Sequence, residues 1–354
     1  MRRSGETARE TPQERMTGRG DQSNTRRSDY DVTNTVQVSS PRAVGEAIEQ
    51  LFASAWPGAS FDRVARAIDD LDTLFAGRMP GYHGVDTVYH DRQHTLDMTL
   101  AMARLMAGYE RLHTAEDALG SERATMGLVT SLFHDSGYIR DTSDREHRNG
   151  AEFTLYHVTR SARFLARYLP TIGLEAWVPV ATRIVHFTGY EVQFDQIHLA
   201  DPRDRRLGHL LGTADLIAQM GDRCYLEKCR DRLYPEFVLG GVATPASAAG
   251  RVNVKYSSGL DLLRQTPEFF EDVRAKRLEG EFDYAYRYVE PLFGGENPYM
   301  DAIRRNFDYL RLVLRTENWP LLRRNPPCFT WEQNPMQNIR SLMLGHLKEV
   351  WSRA

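Results

Sequence analysis

The stretch ERATMGLVTSLFHDSGY, residues 122–138, reads as a strongly apolar helix from Glu122 to Phe133 that runs into an adjacent His134-Asp135 pair. Burying a potential cation and a carboxylate at the end of such a helix is costly unless something pairs with them. A divalent metal answers the need, because neutral imidazole and ionised carboxylate are both ligands.

Outward from this stretch the pattern stays helical. Upstream, Pro41 opens a segment with Val44, Ile48, Leu51 and Phe52 at helical spacing, and a second carries Val64, Ala67, Ile68, Leu71 and Phe75. A third runs from about Arg92 to Arg111. Downstream, helices are predicted from about Asn149 to Tyr168, Val180 to His186 and Leu207 to Leu226. A Gly/Ala/Ser/Pro loop from Val238 to Gly250 follows. Beyond it come helices near Gly259 to Leu263, Pro267 to Leu278, Tyr284 to Phe293, Pro298 to Leu314 (with Asn297 as N-cap) and Met336 to Trp351. No sustained period-two alternation is flanked by hairpin turns, so the fold class is all-α. Residues 1–40 hold only seven residues of the hydrophobic set and are read as a disordered tail, too polar to offset the entropy of ordering.

Two further polar insertions share the logic of His134-Asp135. Tyr89-His90-Asp91-Arg92-Gln93-His94 places two imidazoles four apart on one helix face, about 6 Å between Cβ atoms, and Asp97 extends that face, with an ion pair to Arg104 as its structural alternative. Asp215 interrupts the apolar helical run Leu211 to Ile217 and asks for a compensating charge.

In this order and context, His94, His134-Asp135 and Asp215 resemble the signature of the HD superfamily of metal-dependent phosphohydrolases. The Tyr89-His90…His94 segment resembles the start of cyclic-nucleotide phosphodiesterase catalytic domains. Phe133 to Tyr138, Ser143 to Glu146, Arg183 to His186 and Thr213 to Leu216 are similar to pieces of a bacterial group of HD phosphohydrolases. The resemblance covers about residues 85 to 236 and implies an HD-domain helical bundle over 41–236, with a C-terminal helical extension over 237–354 packed on it. It implies one or two divalent metal ions (Mg, Mn, Fe and Zn being indistinguishable here) held by His94, His134, Asp135 and Asp215, with Asp135 able to bridge. Asp135 and His90 are thus the catalytic candidates, His90 as the general acid for the leaving oxygen. Arg140, Arg145 and Arg183 are the nearest basic candidates for phosphate contacts. His186 is expected as a second-metal ligand or substrate contact, against a buried core histidine, with His157 its rival. Glu146 or His147 is weighed against a solvated charge run. His83, His113, His198, His209 and His346 find no partner.

The implied substrate is a small phosphorylated molecule, a nucleotide among the options. The Gly-Tyr-Pro hallmark of cyclic-di-nucleotide hydrolases is absent, and Ser136-Gly137-Tyr138 replaces the second His-bearing loop of phosphodiesterases, so no nucleotide specificity carries over. A di-iron HD-fold oxygenase using His157 and His186, and a silent nucleotide-sensing module, are the alternatives. A formal charge of -3 gives no strong nucleic-acid signal. No apolar run approaches membrane-helix length, and three cysteines without a CxxC pair suggest a reducing, cytoplasmic setting. Cys224 and Cys229 are assigned to packing. Homo-oligomerisation is left open. The aromatics of 284–309 are assigned to core packing, with base stacking as the alternative.

Overall fold

The computed structural model describes residues 26–245 and 253–353. It is all-α, and the described residues contain no β-strand beyond two isolated bridges. Twelve α-helices follow in order: α1 Pro41–Ala55, α2 Asp62–Phe75, α3 Arg92–Leu112, α4 Gly120–Leu132, α5 His157–Tyr168, α6 Val178–Ile184, α7 Pro202–Gly221, α8 Tyr225–Lys228, α9 Tyr234–Leu239, α10 Gly259–Val273, α11 Pro298–Thr316 and α12 Pro335–Arg353. Among the described residues, no helix is long and apolar enough to cross a membrane.

Local chemistry sets the helix starts. Ser40 caps α1 by accepting the Ala43 N–H, Asp91 caps α3 through His94 N–H, and Asn297 caps α11 ahead of Pro298. Helix α3 is buried from Gln93 to Tyr109, as a helix packed on all sides must be. It lies against α1, α4 and α7, and the 3₁₀ segment Ala285–Leu292 closes its remaining side. Helix α7 is buried almost throughout, so its Asp215 lies deep between α3 and the rest of the bundle.

Three boundaries differ from the expectations. Residues 26–40 do not trail away from the fold: Val32 and Val38 join the core, and Asp31 is fully buried against Arg104 of α3. Few apolar residues suffice there, because an ion pair and backbone hydrogen bonds to Asp31 fix the segment. The part of the tail before residue 26 lies outside the described residues, as do positions 246–250 of the Val238–Gly250 loop. The division at 236/237 falls inside α9; the main hydrophobic cluster runs from Val32 to Leu322, and a smaller one joins Val88, Ala151, Leu239 and Ile339. Finally, the two helices expected near Gly259 and Pro267 are one helix, α10, which passes Pro267 without breaking.

Between α8 and α9 the chain makes a π-helical turn, Cys229–Leu233. Pro235 explains it, since its ring has no N–H to donate and crowds the carbonyl four residues earlier, so the ladder widens. The bulge carries Cys229 and Leu233 to the wall of the cavity described below and sets Glu236 behind His90.

Candidate metal centre

Three elements bring the four ligand candidates together. His94 comes from the first turn of α3, His134-Asp135 from the turn just past α4, and Asp215 from the middle of α7. The ligand atoms of His94, His134 and Asp135 lie within 4.8 Å of one another. Asp135 Oδ2 is 3.3 Å from His94 Nε2 and 3.2 Å from His134 Nε2. Asp215 Oδ1 approaches His94 Nε2 at 3.3 Å and His134 Nε2 at 3.9 Å.

The donor set fits a divalent cation. His134 Nδ1–H donates to the Ser131 carbonyl at 2.8 Å, which leaves Nε2 as the lone-pair nitrogen turned inward. That Nε2 and Asp135 Oδ2 are buried and have no hydrogen-bond partner. Two orphaned ligand atoms at one point are costly in a bare polypeptide and satisfied by an ion between them. The charges agree. Burial lowers the pKa of His94, yet hydrogen bonds and the charges of Asp135 and Asp215 outweigh it and hold the group at about 10. Burial likewise lowers His134, and Asp135 overrides it to a net rise. Asp135 itself sits well below the carboxylate range, because the surrounding histidines outweigh its burial. Without a metal, these carboxylates recruit protons onto the imidazoles as substitute positive charge.

A second shell surrounds this point. His157, first residue of α5, donates from Nδ1 to the Thr154 carbonyl at 2.8 Å and turns Nε2 to within 3.7 Å of Asp135 Oδ1. Gly137 makes this possible: a Cβ there would stand 1.8 Å from the His157 carbonyl oxygen, so only glycine lets the turn after His134-Asp135 dock on α5. Tyr138 is sandwiched between His90 and His157, with ring centroids 4.5 and 4.3 Å away. His90 Nδ1 lies 2.6 Å from Glu236 Oε2, while Glu236 Oε1 accepts the Val88 and Tyr89 N–H groups. The carboxylate can only accept, so Nδ1 donates and Nε2 is left to face a ligand.

Several expected residues lie elsewhere. His186 is half-buried in the 3₁₀ turn Val185–Thr188, where Val185 and Phe187 pack on α7; it neither lines the cavity nor pairs with Asp135 or Asp215. His157, by contrast, faces Asp135. Arg140 donates to Asp86 at 2.8 Å and to the His147 carbonyl, Arg145 is exposed and donates to Thr142, and Arg183 is exposed and donates to Pro179 of its own helix. None of the three reaches the centre. Proximity in sequence to His134-Asp135 did not predict direction, because the chain turns through Ser136–Tyr138 and carries Arg140 to the far side. His147 pairs with Asp144 at 2.9 Å on the surface. Asp97 is buried but finds no partner in Arg104, which is taken by Asp31 and Tyr299; burial raises Asp97 to about 7. Glu236 was missed, although a lone carboxylate before Phe237-Val238-Leu239 carries the same signal that singled out Asp215.

A cavity of about 490 Å³ opens in front of the centre, with His90, His94, Asp135, His157, Glu191 and Asp215 at its inner end. Compared with known proteins, the chain matches no family model, no curated protein and no solved structure.

Proposed function

We propose that the chain is a metal-dependent phosphohydrolase of the HD type that hydrolyses a small phosphoester. The observation that carries the reading is the convergence of His94, His134, Asp135 and Asp215 from separate elements on one buried point, with His134 Nε2 and Asp135 Oδ2 making no hydrogen bond among the described residues. These four residues would hold the ion, and His157 with Asp135 Oδ1 offers a place for a second. A divalent cation bound there supplies Lewis acidity, lowering the pKa of water and drawing charge from the phosphoryl oxygens.

The remaining chemistry belongs to the chain. His90 lines the cavity, and its Nε2–H can be passed to the oxygen that leaves phosphorus. Glu236 keeps a proton on Nδ1, so Nε2 donates from the doubly protonated ring, while the face of Tyr138 fixes its plane. The buried surround keeps bulk water from dispersing these charges.

Elemental analysis of protein purified without chelators, combined with a phosphoester screen, tests the proposal. His134→Ala or Asp135→Ala is expected to bring metal content and hydrolysis to background together. Wild-type metal content in both Asp135→Ala and Asp215→Ala overturns the site. Oxygen uptake with substrate oxidation in place of hydrolysis overturns the reaction.

A further inference from the structure

The cavity in front of the metal centre has two chemically different ends. Its inner end is ionisable. Its outer wall is apolar and comes largely from the chain after residue 232: Leu233, Phe237, Val242, Tyr256, Leu262 and Phe269. At the mouth, Leu155, Tyr190 and Phe269 are 63%, 63% and 44% exposed. Exposed apolar side chains ringing an apolar cavity are a signature of a ligand with an apolar body.

Charge narrows the ligand further. The cavity is lined by three carboxylates, Asp135, Glu191 and Asp215, and among the described residues its only Lys or Arg is Lys255. Lys255 is exposed, with its ammonium 5.2 Å from the Tyr256 ring. Arg277 lies behind the wall, its guanidinium 3.5 Å over the Tyr190 ring and donating to the Gly189 carbonyl at 2.6 Å. A polyphosphate needs cationic donors along its length, as arginine forks or lysines supply. Here only the ion-binding end can neutralise an anion, and it spans one phosphoryl group.

Much of the side-chain hydrogen-bonding capacity apart from the hydroxyls of Tyr138, Tyr190, Tyr225 and Tyr256 is spent within the chain. The hydroxyls of Thr154, Thr188 and Thr266 donate back to the carbonyls of Ala151, Val185 and Leu262, at 2.6, 2.8 and 2.8 Å. Gln265 gives its amide N–H to the Lys255 carbonyl, and the Gln219 amide oxygen accepts from the Tyr89 hydroxyl. A polyhydroxylated sugar entering this wall would meet tyrosine hydroxyls but few other open side-chain partners, and would replace only part of its hydrogen bonds to water.

Resting on the hydrolase reading above, we infer that the cavity selects esters carrying a single phosphoryl group on an apolar ring or chain, and rejects nucleoside polyphosphates and sugar phosphates. The test is calorimetric binding to the metal-loaded full chain of three probes: 1-naphthylmethylphosphonate, methylphosphonate and a β,γ-methylene analogue of a nucleoside triphosphate. The two phosphonates share a head group, so their ratio reads the wall alone. The naphthyl compound is expected to bind at least ~10-fold tighter than methylphosphonate, the order given by burying an aromatic ring. Leu262→Trp, which fills the wall, should collapse that ratio with metal content unchanged. Phe269→Ser, at an exposed position that folding does not depend on, should lower it in the same direction. Equal binding of the two phosphonates, no binding of either, or tightest binding of the triphosphate analogue overturns the inference. Naphthyl selectivity without turnover of any phosphoester would sink the hydrolase reading and leave the selectivity standing. Hydrolysis of a sugar phosphate as efficient as that of naphthyl phosphate would do the reverse.

Discussion

Asp31 and Asp135 are both buried carboxylates, and their surroundings differ in what they lack. Around Asp31 the chain supplies everything. Oδ1 accepts the Thr35 and Val36 N–H groups, Oδ2 accepts from Thr33, and Arg104 brings a full positive charge at 2.7 Å while also donating to Tyr299. The carboxyl is held below its usual range despite its burial, because Arg104 and the hydrogen bonds outweigh desolvation. Around Asp135 the neighbours are titratable imidazoles, and one carboxylate oxygen and one ring nitrogen have no partner. The first site is a closed account of charge and stabilises the fold. The second leans on protonated imidazoles for its positive charge, which is the observation behind the proposed metal site.

The largest expected effect separates the two directly. Asp31→Ala leaves Arg104 buried and unpaired, so it should cost ~3–5 kcal/mol in urea unfolding. Asp135→Asn in chelator-treated protein should cost less, because the imidazoles it leaves can release their substitute protons, which Arg104 cannot do. A loss at Asp135 as large as at Asp31 would erase the distinction. The counterpart on the ligand side is stabilisation by metal. A divalent ion at 100 times its Kd should raise wild-type stability by ~2.7 kcal/mol and leave His134→Ala unmoved.

Catalytic effects come next. His90→Ala should keep metal content and lose ~10²–10⁴ in turnover, the range for a general acid, and Glu236→Gln should fall between it and wild type with a displaced pH profile. Metal loss in His90→Ala would move that residue into the ligand set.

The smallest effect concerns a buried histidine whose nearest counter-charge, Glu281 Oε1, stands 4.0 Å from Nε2. His209 packs between Phe187 and Phe282 with neither ring nitrogen hydrogen-bonded, and burial followed by Arg206 and Arg205 lowers it to about 4. Its ordinary value is 6.5, so between pH 6.5 and 4 the unfolded chain takes up the proton first. Stability is complete above that window and falls on acidification through it. His209→Phe should flatten this acid limb in pH-dependent unfolding, and an unchanged slope would show that the ring is hydrated.

How much of this was legible in the chain follows from what a sequence displays. His134-Asp135 and Asp215 stood out because they end or interrupt apolar helical runs, which only a specific partner makes tolerable, and His94 stood out through its four-residue spacing from His90. Helix α3 was legible through its length and α11 through its cap. Arg140, Arg145 and Arg183 were misjudged, since closeness along the chain does not give the direction of a long side chain after a turn. The sequence put His186 ahead of His157, whereas their placement depends on a 3₁₀ turn and on the docking allowed by Gly137.

Periodicity and isolated polar residues within apolar runs, then, determined that this chain is all-helical and where its buried charges lie, because these are local properties of a few helical turns. Tertiary structure alone decided that Asp31 is neutralised and Asp135 is not, that Glu236 backs His90, and that residues after 232 wall the cavity. Those outcomes depend on distances between segments far apart in sequence, and apolar residues of a cavity wall look the same along the chain as those of a core.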